Sequence, residues 1–183
     1  MALKATICKA LLQIADIDRG LYADHALTIA RQPSENDERM MVRLLAFALN
    51  VPADDRAGAL QFAKGMADPE EPELWQKDLT GRIVQWIEVG QPDERRLMKA
   101  SGRADRVSVY SFGSAAAGWW AGLTSRVRRA GNIEAWLVPS EQSRALAALA
   151  GRSMQLQLSR QDGVIWVADG ERSEQVVPQR LSA

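Results

Sequence analysis

Glu88 closes the apolar run RIVQWIEVG, and the next lysine, Lys99, follows eleven residues later. Read as a strand, that run puts Glu88 on one face with Val84 and Trp86, while Ile83, Ile87 and Val89 occupy the other. The acid also stands where a strand feeds a helix, the place at which α/β folds put their chemistry. A second acid, Glu38, shares its orientation. Wound at 100° per residue from Glu38, a helix over residues 34–50 brings Met41, Val42, Leu45 and Leu49 onto the same stripe, and the solvated face falls to Glu35, Asn36, Arg39 and Arg43. A core-facing carboxylate costs several kcal/mol unless a cation or hydrogen bonds meet it. Two carboxylates about 4 Å apart repel by roughly 4 kcal/mol at an effective dielectric of 20, so a converging pair takes up a proton or holds a metal. Oxygen ligands alone favour Mg²⁺ or Mn²⁺. The alternative for Glu38 is a bond to loop amides or to an arginine.

Other constellations carry less. One cysteine, Cys8, and one histidine, His25, exclude a zinc site and an internal disulfide. His25 shares a strand face with Ala23, Leu27 and Ile29 and is expected to be a hydrogen-bonded core residue. Gly113, Gly118 and Gly122 lack phosphate-loop spacing and suggest close helix packing. Of the adjacent Trp119 and Trp120, about 100° apart on a helix, one could stack on a base, although half-burial is the commoner fate. Arg126, Arg128 and Arg129 crowd a helix end, where cations offset the dipole. Lysine plus arginine equals aspartate plus glutamate at 23 each, so any nucleic-acid face must come from local segregation of charge. No run of about 18 apolar residues occurs, and a soluble, cytoplasmic protein without a membrane partner is expected.

These side chains need elements to position them. At 183 residues and 46% hydrophobic content the chain suits one domain spanning 1–183. Residues 5–17 and 21–31 read as a hairpin, and Ser34 as the cap of the long helix with Asp37 as its box partner. LQFAKG reads as a short strand and MADPEEPE as an acidic loop. From Gly90 strand and helix alternate. Pro92 opens a helix that Gly102 ends, VSVYSF is a strand, SAAAGWWAGLTSRVRR a helix, IEAWLV a strand, and Ser140 caps a helix up to Gly151. This is a βαβαβ order with parallel strands. SMQLQLS, the Asp162-Gly163 turn and VIWVAD form a closing hairpin.

MALKATICKA, RQPSENDERMMVRLLAFAL, DLTG, WIEVGQPDERRLMKA and QDGVIWVAD together resemble the YaeQ family of bacterial proteins over almost the whole chain. The resemblance implies an α/β restriction-endonuclease-like fold of the PD-(D/E)xK superfamily, a mixed sheet flanked by helices with antiparallel hairpins at both ends of the chain. It also implies a divalent metal, Mg²⁺ or Mn²⁺, held by Glu38 as the helix acid, Asp78 as the acid before the key strand and Glu88 as the acid of (D/E)xK. Gly90 stands where that signature has its lysine. Lys99 is the candidate migrant, because helical side chains lean toward the N-terminus and the gap of about 10 Å from Pro92 is half recovered by its length. Arg95 and Arg96 are nearer, but arginine does not give up a proton and would clamp substrate phosphate. Asp78 requires a bend near Gly81, since ten residues of straight strand span about 33 Å, and a turn-forming role is its alternative. Three functions follow as expectations: metal-assisted phosphodiester hydrolysis of nucleic acid, a decayed module of the same fold that binds nucleic acid or a protein, and hydrolysis of a small phosphoester.

Overall fold

The computed structural model of the chain describes residues 3–181; Met1 and Ala2, which open the first matching segment, and residues 182–183 lie outside them. The chain begins with β1 (Thr6–Asp16), β2 (Leu21–Arg31), α1 (Asp37–Asn50) and β3 (Leu60–Phe62), then a 3₁₀ turn at Gly65–Ala67. It continues through β4 (Leu74–Lys77), β5 (Ile83–Val89), α2 (Glu94–Arg103), β6 (Ala104–Phe112), α3 (Ala116–Gly122) and α4 (Ser125–Arg128). It ends with β7 (Ile133–Val138), α5 (Ser140–Ala147), β8 (Ser153–Gln161), β9 (Val164–Ala168), β10 (Ser173–Val176) and β11 (Gln179–Leu181).

The strands build two mixed sheets. One has the order β10-β9-β8-β1-β2 and the other β11-β7-β6-β5-β4-β3. The expected βαβαβ unit is present, with β5, β6 and β7 parallel. The two hairpins, β1–β2 and β8–β9, lie far apart in the chain and merge into one sheet through a parallel β1–β8 pairing. Alternation explains how that sheet faces the core: Cys8, Ala10, Leu12 and Ile14 are buried while Ile7, Lys9, Leu11 and Gln13 point outward. Helix α1 lies between the sheets, so Met40, Met41, Val42, Leu44, Leu45, Ala46, Phe47 and Ala48 are all buried and almost every side of the helix is apolar contact. A smaller core of Trp86, Leu97, Val107, Val109, Trp120 and Val127 lies on the other face of the second sheet, beneath α2, α3 and α4.

Several local expectations are corrected. The cap of α1 is Asn36, whose side chain accepts from the Arg39 amide at 2.8 Å, and not Ser34. Helix α2 begins at Glu94 and not at Pro92, with Asp93 as its cap accepting from the Arg96 amide at 2.8 Å. The helix expected over residues 114–129 breaks into α3 and α4 at Leu123, which takes an extended conformation. Gly113, Gly118 and Gly122 do not mark close packing, since a Cβ at any of them would meet nothing within 4 Å. His25 does face inward, but it packs edge-on against Phe47 at 5.1 Å and its Nε2 has no hydrogen-bond partner among the described residues. Trp119 is half-buried, as the commoner fate of such a residue has it, and donates to the Pro92 carbonyl at 2.8 Å.

Candidate functional site

Glu88 is buried at the carboxyl end of β5, on the α2 face of the sheet, as its strand pattern requires. One oxygen, Oε1, accepts from the Trp86 indole Nε1 and from Arg96 Nε, both at 2.7 Å. Arg96 reaches the acid from the first turn of α2 and spends its other nitrogens on two loop carbonyls, Pro69 and Glu71, at 2.8 Å each. All three guanidinium nitrogens are thereby engaged, and the acidic loop is fastened over the site. Burial raises the Glu88 carboxyl above the ordinary glutamate range against the pull of Arg96 and Trp86, and the charge of Glu73 adds to the rise.

Glu73 is a neighbour that the pattern of apolar residues did not reveal. It precedes β4, is 3% exposed, and its amide donates to the Ile87 carbonyl at 3.1 Å. Its carboxylate is shared between Arg39 Nη2 and Arg43 Nε, the latter at 3.1 Å. The same two arginines hold Glu35 from the other side at 2.9 Å each. Arg39 also donates to the Val89 carbonyl at 3.2 Å and Arg43 to Ala30 at 3.1 Å. Desolvation works to lower the Arg39 guanidinium, but the bonds to Glu73 and Glu35 outweigh it and its affinity for the proton rises. The loop backbone presses close on this network: at Gly65 a Cβ would sit 2.3 Å from Glu73 Oε2, so only glycine fits there.

The residues expected to form a metal site are dispersed. Glu38 is half-buried on the side of α1 that meets α5, where Oε1 accepts from Ser143 Oγ at 2.6 Å. Asp78 forms the β4–β5 turn, accepting from the Thr80 amide at 2.8 Å, the Thr80 hydroxyl at 2.7 Å and the Arg82 amide at 3.0 Å. The Thr80 hydroxyl and the turn amides hold its carboxyl below the usual range. From that turn to Glu88 runs the whole of β5, roughly 20 Å of strand. Lys99 pairs with Glu70 of the acidic loop, and Arg95 is exposed on α2 with no ion pair among the described residues. Of the expected set, Glu88 and Arg96 meet. Glu35, Arg39 and Arg43, assigned by the helical wheel to solvent, belong instead to the buried network. Among the described residues no group of three or more metal-ligating side chains is gathered for an ion.

A cleft of about 300 Å³ opens over this centre, with Arg39, Glu73, Glu88, Gln91, Pro92 and Arg96 in its walls. The carboxylates of Glu35, Glu73 and Glu88 are matched by the guanidiniums of Arg39, Arg43 and Arg96. That gives charge balance without a divalent ion, and as arranged the donor set does not fit one: each of these acids already spends oxygen lone pairs on arginine. Gly90 has φ +106°, a region that disfavours a side chain, and its amide donates to the Tyr110 backbone carbonyl at 2.9 Å as β5 turns toward α2. The backbone therefore disfavours a lysine side chain at this position.

The YaeQ protein family model matches residues 1–178. The chain is 44% identical over 177 residues to Uncharacterized protein YaeQ of Escherichia coli (strain K12), covering 96% of this chain and 95% of that one. The corresponding protein of Salmonella typhi is 43% identical over the same length, with the same coverage. The crystal structure of YaeQ protein from Xanthomonas axonopodis pv. citri superposes with a TM-score of 0.90 at 42% identity, over 98% of this chain and 99% of that one. That of YaeQ protein from Pseudomonas syringae gives 0.89 at 36% identity, over 98% and 97%. The chain belongs to the YaeQ family.

Proposed function

We propose that the protein is a restriction-endonuclease-like module of the PD-(D/E)xK type in which arginine has taken over the charge-balancing part of the metal, and that it binds the nucleic-acid backbone without cleaving it. The order of a helix, the β4–β5 hairpin, α2 and the parallel strand β6 supports that fold relationship. In this reading Glu35 stands as the helix acid and Glu73, not Asp78, as the acid before the key strand. The observation that carries the proposal is Arg96, which neutralises Glu88 and bolts the acidic loop across it. Nucleic acid is favoured as ligand by the adjoining surface. Helices α2 and α4 pack together and expose Arg95, Arg103, Arg126 and Arg129, so a neutral chain gathers cations beside the centre.

Fluorescence anisotropy with labelled single- and double-stranded oligonucleotides tests this. Binding is expected to weaken linearly with the logarithm of salt concentration, and the double substitution Arg95→Ala, Arg126→Ala to shallow the slope by about 2. The same mixtures with Mn²⁺ should show intact strands. An absence of salt-dependent binding would remove the nucleic-acid reading. Strand scission that disappears in Glu88→Ala would instead restore hydrolysis with Mg²⁺ or Mn²⁺, the reading favoured by Glu73 and Glu88 facing one cleft.

A further inference from the structure

At the opposite end of α1, roughly 16 Å along its axis from Arg39, the two sheets part around a second cleft, of about 360 Å³. Arg106 and Tyr110 of β6 and Glu134 and Trp136 of β7 line one wall, Arg160 of β8 the other, and Asn50 the end of the helix. The polar groups here are fixed from behind. Gln76 donates to the Gly58 carbonyl at 2.9 Å, Gln85 donates to Gln76 at 2.7 Å and to the Asn50 carbonyl at 3.3 Å, and Arg106 Nη2 donates to Gln85 Oε1. Asn50 in turn donates to the Tyr110 hydroxyl at 2.8 Å. Such a chain holds Arg106 and Tyr110 in place before any ligand arrives.

Hydrogen-bonding capacity remains at the opening. Arg106 and Glu134 make no ion pair among the described residues, and Glu134 accepts a single hydrogen bond, from Ser108 Oγ at 3.0 Å. Arg160 donates Nη1 to Asp16 at 3.5 Å and forms an ion pair with Asp18 at 3.2 Å in which Nε lacks hydrogen-bond geometry, while Nη2 makes no ion pair among the described residues. The Tyr110 hydroxyl is buried, accepts from Asn50, and has no acceptor for its own proton among the described residues. Burial raises it to about 12, and the charges of Glu134, Arg106 and Arg160, which line the same cleft, all act on it. Trp136 is half-buried and offers an aromatic wall.

We propose that this cleft binds a mononucleotide: phosphate between Arg106 and Arg160, the base against Trp136, and a base N–H on Glu134. Two guanidiniums from separate walls suit a dianionic phosphate, a carboxylate accepts only from donors, and an indole face suits a planar ring. The volume lies at the low end of small-ligand sites, enough for one nucleotide and too small for a strand. The proposal is independent of the Glu88 centre, which lies at the other end of α1.

Isothermal titration calorimetry with the four ribonucleoside 5′-monophosphates, their nucleosides and inorganic phosphate decides it. At least one monophosphate is expected to bind at least about tenfold more tightly than its nucleoside and than phosphate. Arg106→Gln should bring that nucleotide down to the nucleoside's affinity, and Glu134→Gln should weaken nucleotide and nucleoside alike; unchanged circular dichroism and melting temperature exclude misfolding. Tyr110→Phe, which keeps the packing, serves as a second probe and should also weaken binding. No binding by any monophosphate at about 1 mM, equal affinity for inorganic phosphate, or binding indifferent to Arg106→Gln and Glu134→Gln would overturn the proposal.

Discussion

The Glu88 carboxyl keeps its proton to a higher pH in the folded chain than in the unfolded one, because burial outweighs Arg96 and the Trp86 indole and Glu73 adds repulsion. Ionising it as pH rises through the window between its unfolded and folded values therefore costs stability. Glu88→Gln, a neutral isostere, should match the wild type below the ordinary glutamate range and exceed it increasingly above, the gap levelling once the folded carboxyl has ionised. Urea midpoints of both proteins across this range check the sign; a gap that closes with rising pH would mean that Arg96 dominates. Gly90 makes a separate prediction. At φ +106° any side chain is strained, so Gly90→Lys should destabilise by at least about 1–2 kcal/mol in urea melts and should not create nuclease activity. Glu88 was legible in the sequence because strand alternation states which way it points. Glu73 was not, because a buried acid within PEEPE looks like any solvated loop charge until its arginines are placed.

Helix α1 shows where a helical wheel stops being informative. Moving the cap from Ser34 to Asn36 leaves the relative directions of Glu38, Arg39 and Arg43 unchanged, but the helix is covered on almost every side, so the face assigned to solvent is largely buried as well. With Asn36 as cap, Glu35 precedes the helix and bonds the Gln32 amide at 3.2 Å as well as both arginines. The apolar stripe was read correctly, since Met41, Val42 and Leu45 are buried as their spacing requires. The energetic consequence separates two kinds of ion pair. Arg43 is 4% exposed and bridges two buried acids, so Arg43→Ala should destabilise by about 3–5 kcal/mol, largely independent of salt. Lys99→Ala, which releases an exposed pair with Glu70, should leave the urea midpoint unchanged. Equal losses at the two positions would contradict the burial of the network.

At the level of the molecule, the parallel β5-β6-β7 unit and both hairpins were readable because each has a strong period and clear turns, down to the Asp162-Gly163 turn with positive φ at both residues. The β1–β8 pairing was not, since local pattern says nothing about which distant edges meet. Strands β4, β10 and β11, of four, four and three residues, are too short to show a period and owe their form to the neighbours they pair with. None of the helices among the described residues is long and apolar enough to cross a membrane. The resulting body holds an arginine-locked acidic centre at one end of α1 and an open, charged cleft at the other. The first of these is tested most directly by the electron paramagnetic resonance of Mn²⁺ mixed with an equimolar amount of protein. The account expects the six-line signal of free aqueous Mn²⁺ to persist at full intensity; loss of that signal in the wild type, with recovery in Glu88→Gln, would show that a metal and not Arg96 is the partner of Glu88.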